Sequence, residues 1–272
     1  MELERRFIFR GNAVAAAGHI NFPEEQVIPT QGVSALPTNG GLSESNIGRS
    51  QESEYFSFEA SHTRAYGTLD PKTQRNTTSV TATIKGVNIT GRLRCESMGA
   101  TLISNEGERE GQPAIIPEGS FIKGMFLDDY PVTVSLDIAL FTHMNTKERL
   151  SYAYGNDDAF FLRYGKRFLS AEKPDSKPGF LASLFGRKRR REIPEMKGYV
   201  VCSLVSEVFC DHPEIKIDGH KIYLPGFGRI FLGELLISDY SRRLTMARVQ
   251  LGSPVQGWIS LAEVESNGHG LP

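Results

Sequence analysis

Cysteine, aspartate and histidine stand in direct succession at Cys210-Asp211-His212, with Glu214, Asp218 and His220 close behind. Thiolate, imidazole and carboxylate are the ligand types of zinc and iron centres, and a hairpin folded between positions 212 and 220 would bring the two imidazoles together. His212, His220, Asp211 and Asp218 are therefore the candidate metal ligands, and the chemistry they would support is metal-assisted hydrolysis or oxygenation. Their spacing matches no established ligand pattern. Asp211-His212-Pro213 and Asp218-Gly219 are also ordinary turn sequences, in which Asp and Gly satisfy local backbone geometry. The turn reading fits the spacing better, so no cofactor is expected, with zinc or iron as the alternative.

Two other acidic pairs could act as a general acid and base or hold a cation, Asp128-Asp129 before Pro131 and Asp157-Asp158. Either role needs a partner in space, and helix capping accounts for the second pair. His19, His62, His143 and His269 stand apart, with no HxH or HExxH linking them. The sequence contains no GxSxG nucleophile turn, no GxxxxGK[ST] loop and no GxGxxG between a strand and a helix. Cys202 sits in an apolar run, where a thiol behaves as a small hydrophobe.

The sharpest compositional feature is PGFLASLFGRKRRREIP, where Phe180, Leu181, Leu184 and Phe185 run into Arg187, Lys188, Arg189, Arg190 and Arg191. Adjacent cations repel one another and must be solvated or paired, so 172–195 reads as an exposed basic insertion loop. Such a loop suits proteolytic cleavage, anion binding by guanidinium groups, or peripheral membrane contact through its aromatic and apolar side chains. The five cations are bunched and the whole chain has a formal net charge of -1, which argues against nucleic acid.

These groups need a frame, and the frame reads as β. Residues 132–141 alternate Val132, Val134, Leu136, Ile138 and Leu140 with more polar neighbours, the period of a half-buried strand. Val80, Ala82 and Ile84 alternate likewise and change parity at Gly86, which predicts a bulge or bend there. Further strands are expected at 6–10, 14–20, 55–60, 63–69, 92–96 and 100–104, and a hairpin at 229–238 and 243–251. Residues 199–208 are apolar on both faces, as in a central strand. The best helix is 157–169, and 29–54 reads as a long polar loop. Trp258, the only tryptophan, is assigned to core or sheet packing, with a ligand platform as the alternative.

The expected fold is all-β, an antiparallel sandwich or barrel-like arrangement with long loops and at most one or two short helices. One extended domain over 1–272 is expected, with a subdivision near 105–130 as the alternative. An odd count of three cysteines, no secretory signal and no apolar run of membrane-spanning length point to a cytoplasmic protein. The functional expectation is a non-enzymatic interaction or structural protein that works through its loops or by homo-oligomerisation, with a protein partner or itself as ligand. The alternatives are the metal-assisted enzyme on the 210–220 cluster and a membrane-active β-protein regulated by cleavage in the basic loop.

Overall fold

Alternation of buried and outward side chains runs through most of the chain and folds it into strands. The computed structural model describes residues 7–51, 53–72, 74–106, 112–168 and 191–270. The first half forms β1 (Phe7–Phe22), β2 (Gln26–Ala35), β3 (Gly41–Ile47), β4 (Ser50–Gln51), β5 (Phe56–Phe58), β6 (Ala60–Asp70), β7 (Arg75–Ile89), β8 (Leu93–Asn105), β9 (Ala114–Ile116), β10 (Phe121–Leu127) and β11 (Tyr130–Leu136). Helices α1 (Ile138–His143), α2 (Lys147–Asn156) and α3 (Asp158–Tyr164) follow. The chain then returns to strands as β12 (Glu195–Met196), β13 (Tyr199–Ser203), β14 (Val205–Cys210), β15 (Lys216–Asp218), β16 (Lys221–Leu224), β17 (Gly228–Ile237), β18 (Ser241–Leu251) and β19 (Gln256–Gly270).

Two antiparallel sheets pack face to face. The first runs β12, β13, β17, β18, β19, β1, β2, with the β15–β16 hairpin also on β17. The second runs β14, β11, β10, β8, β7, β5, β4, with β6 and β3 also joined through β7, and β9 on β8. One buried cluster lies between them, including Ile20, Ile84, Leu102, Ile230, Leu244 and Leu261. Each such side chain contributes about 1.5–3 kcal/mol by leaving water. Both sheets draw strands from both halves of the chain, and β8, β9 and β10, which bracket 105–130, are neighbours in one sheet.

Each sheet reverses its pleat along a line that crosses the strands. In the second sheet β7 buries Ile84 and then Val87, so that Lys85 and Gly86 both face outward. β8 reverses between buried Cys95 and Met98, and β10 just before buried Met125. Register is kept across the line, since Lys85 faces Ser97 and Val87 faces Cys95. Gly86 and Gly124 meet the reversal with left-handed φ of 63° and 59°. No side chain fits there, because a Cβ on Gly124 would lie 2.6 Å from the Glu96 Cβ, and one on Gly86 would collide with Glu59. The first sheet reverses in the opposite sense: Ala15-Ala16, Leu261-Ala262, Met246-Ala247 and Leu232-Gly233 face inward as pairs. Left-handed residues recur there on alternate strands, at Gly32, Ala262 and Gly233. The parity change expected at Gly86 is thus one point on a crease shared by its neighbours.

Elsewhere the structure departs from the sequence reading. The strand expected over 132–141 stops at Leu136, because the Asp137 carboxylate accepts from the Leu140 N–H and starts α1. The span 199–208 is not one central strand. It pairs with β17 as β13, and beyond Leu204 it crosses to the second sheet as edge strand β14. The loop expected over 29–54 is largely the edge strands β2 and β3. There are three short α-helices where at most two were expected, and 157–169 resolves into α3 and a 3₁₀ turn at Gly165–Arg167. Asp157 caps α3 by accepting from the Phe160 N–H. The hairpin of β17 and β18 stands as read, with Ile237 facing Arg242.

Candidate functional site

The hairpin between 212 and 220 does not join the two imidazoles. It is formed by β15 and β16, with Lys216 facing Tyr223 and Asp218 facing Lys221. His212 therefore precedes the hairpin and His220 sits in its turn. Both ring nitrogens of His212 are engaged. Nδ1 accepts from the Glu214 N–H at 3.1 Å, which places the proton on Nε2, 3.4 Å from the Asp128 carboxylate. Asp211 and Asp218 are exposed. His220 is buried, and burial pushes its imidazole below the ordinary range. Among the described residues, no three His, Cys, Asp or Glu side chains converge to hold a metal ion.

His212 instead belongs to a clasp between the sheets. Asp128 and Asp129 both take left-handed φ in the two-residue turn between β10 and β11. Arg92 grips the Asp128 carboxylate with Nε and Nη2 and donates from Nη1 to the Pro225 carbonyl at 3.1 Å. Arg94 pairs with Asp129. The Arg92 guanidinium holds Asp128 below the usual carboxylate range, with His212 adding to the effect. Pro225 lies in the turn between β16 and β17, so a second-sheet arginine fixes the turn flanked by Tyr223 and Arg229.

That turn supports the most distinctive surface of the described residues. A continuous register on the outer face of the first sheet places Val27 opposite His19, His19 opposite Trp258 and Trp258 opposite Gln250. It continues with Gln250 opposite Arg229, Arg229 opposite Tyr223 and Tyr223 opposite Lys216. Trp258 is 45% exposed and Tyr223 42%. Residues two positions along share the same face, so a second row runs Ala17, Ser260, Arg248, Phe231 and Lys221. Arg248 stacks 3.9 Å over the Phe231 ring and makes a bidentate pair with Glu234 at 2.7 and 2.8 Å. Ala17 and Ser260, next to the indole's row, are small and half-buried.

Trp258 thus stands outside the core, contrary to the packing role assigned from sequence. The signal was present, since Trp258 and Ser260 alternate with the fully buried Ile259 and Leu261. Parity alone places the indole outward. The charges of the face largely cancel. Glu234 neutralises Arg248, Asp218 faces Lys221, and Glu25 lies 3.3 Å from His19. Arg229 and Lys216 are left without an ion pair among the described residues.

A groove of about 660 Å³ follows the crease on the outside of the second sheet, lined by Glu59, Gly86, Arg94, Glu96, Gly124 and Phe126 among others. Arg242 is wholly buried, donates to the Met144 carbonyl at 2.7 Å and is pushed down to about 10 by its burial. That carbonyl closes α1, whose C-terminal end favours a cation. Burial also raises the Cys95 thiol to about 11 and Cys202 to about 12, so neither is a ready nucleophile. Phe180, Phe185, Arg187, Lys188, Arg189 and Arg190 lie outside the described residues. Arg191 pairs with Asp158 at 2.8 Å and stacks over Phe161. Among the described residues no helix is long and apolar enough to cross a membrane.

Residues 7–238 match a family described as a domain of unknown function, DUF8256, and the chain belongs to that family. The match takes in Val27, His19, Arg229, Tyr223 and Lys216 and stops before Gln250 and Trp258. No curated protein and no solved structure matches the chain.

Proposed function

We propose that this protein is a non-enzymatic binding module whose contact surface is the outer face of its first sheet. The observation that carries the reading is the row Trp258, Gln250, Arg229, Tyr223, with two half-exposed aromatic rings and two planar polar side chains on hydrogen-bonded strands. Aromatic residues and arginine dominate recognition surfaces because they bring large contact area and fixed geometry. Strands restrict their motion before the ligand arrives, which lowers the ordering cost of binding. Among the described residues, His212 has both nitrogens engaged, and the thiols of Cys95 and Cys202 are raised by burial. The face, more than the loops, is therefore the surface suited to contact.

Calorimetric titration of the whole chain tests this against a neutral polysaccharide, an oligothymidylate and, by dilution, the chain itself. The expected result is saturable heat in one of the three, weakened about tenfold or more by Trp258→Ala and Tyr223→Ala. Heat in none of them, or binding indifferent to both substitutions, contradicts the proposal.

A further inference from the structure

We infer that the face takes an extended, uncharged polysaccharide, an inference that rests on the face being the working surface. Trp258 and Tyr223 stand three strand spacings apart on one row, about 14 Å. The ring face of a pyranose carries C–H groups that rest on an aromatic ring, and its rim carries hydroxyls that both donate and accept. Between the two rings stand Gln250, whose amide does both, and Arg229, which offers a fork of donors. In the adjoining row Ala17 and Ser260 are small, with Ser260 adding a hydroxyl.

Charge decides against a polyanion. A nucleic-acid strand is held by cations that track its phosphates. Here Arg248 is neutralised by Glu234, Lys221 faces Asp218, and the chain as a whole carries -1. Beyond the crease Glu263 and Glu265 pair with Arg243, and Glu265 also lies 3.9 Å from Arg10, so that part of the face is balanced as well. Arg229 and Lys216 lie on one side only. Stacking flanked by amide, guanidinium and hydroxyl groups is the chemistry of a neutral sugar chain.

Affinity electrophoresis of the whole chain tests the inference in native gels containing mixed-linkage β-glucan, arabinoxylan or galactomannan, beside gels with heparin and a mobility assay with oligothymidylate. The expected result is retardation by at least one neutral polysaccharide, kept at about 0.5 M salt because it is not ionic. Trp258→Ala and Tyr223→Ala should each weaken it about tenfold, and Trp258→Phe, which keeps a ring, should weaken it less. Circular dichroism of each variant establishes that the fold is intact. No retardation by any of the three neutral polysaccharides overturns the inference, as does retardation that the substitutions leave unchanged. Salt-sensitive binding of heparin or oligothymidylate alone, lost in Trp258→Ala, overturns the ligand class and leaves the face as the working surface. Binding to none of the polymers, with self-association absent or indifferent to the substitutions, removes the surface as well.

Discussion

At the scale of single residues, the clasp shows how one ion pair positions a surface it does not touch. Arg92 sits in the turn between β7 and β8 of the second sheet, holds Asp128 and reaches the Pro225 carbonyl in the turn flanked by Tyr223 and Arg229. Asp128 is held below the ordinary carboxylate range in the folded protein, chiefly by the hydrogen bonds from Arg92. A carboxylate with a depressed folded pKa stabilises fully above its unfolded value and loses that contribution as pH falls through the folded value. Asp128→Asn should therefore lower stability by about 1 kcal/mol near pH 7, and the difference from the parent should shrink below about pH 4. Denaturant melts of both proteins at the two pH values check this, and a difference that stays constant contradicts it. The cluster at 210–220 was legible in residue type and misleading in geometry. Sequence spacing places His212 and His220 across a hairpin, whereas the real turn falls at Gly219-His220 and leaves His212 beside a partner far away in the chain, Asp128.

At the scale of elements, the two creases are what make the strands long. β1, β7, β8 and β19 keep burying one face past a point where a regular pleat would carry apolar side chains into water, because the parity resets in step across neighbours. Glycine meets the left-handed backbone in most places, but Ala262 does so with φ of 49°. Gly86→Ala and Gly233→Ala should each cost about 1–3 kcal/mol, by backbone strain and, at Gly86, by collision with Glu59. Ala262→Gly should be neutral or slightly stabilising, since relief of strain of about 1–2 kcal/mol opposes a glycine entropy cost of about 0.5–1 kcal/mol. Urea midpoints at unchanged slope read these changes, and a large loss in Ala262→Gly would contradict the account. The parity slip at Gly86 was visible in sequence because apolar residues mark both sides of it. In β2 and β3 the strands were invisible, since edge strands with Pro29, glycines and serines carry little alternation. The helix α1 was masked by a period-two pattern that Asp137 interrupts with a cap.

At the scale of the whole molecule, the sandwich leaves two outer faces with different characters. The second sheet carries a creased groove lined by Glu59, Glu96 and Arg94 over Gly86 and Gly124, and the first carries a row across its strands from Trp258 to Tyr223. The all-β class follows from alternation alone. The face could have been found too, by carrying the parity of Ile259 and Leu261 to Trp258 and that of Ile222 and Leu224 to Tyr223. What sequence could not supply is the register that sets Trp258, Gln250, Arg229 and Tyr223 side by side, because in the consecutive strands β16 to β19 it depends on where each turn falls. The most direct measurement uses Trp258, the sole tryptophan, as its own reporter. In the free protein its emission should be that of a solvent-contacting indole, readily quenched by acrylamide, and a bound neutral polysaccharide should shift the emission to shorter wavelength and protect it from the quencher. An indole already shielded in the free chain, or one that stays equally quenchable while ligand is bound, would contradict the account.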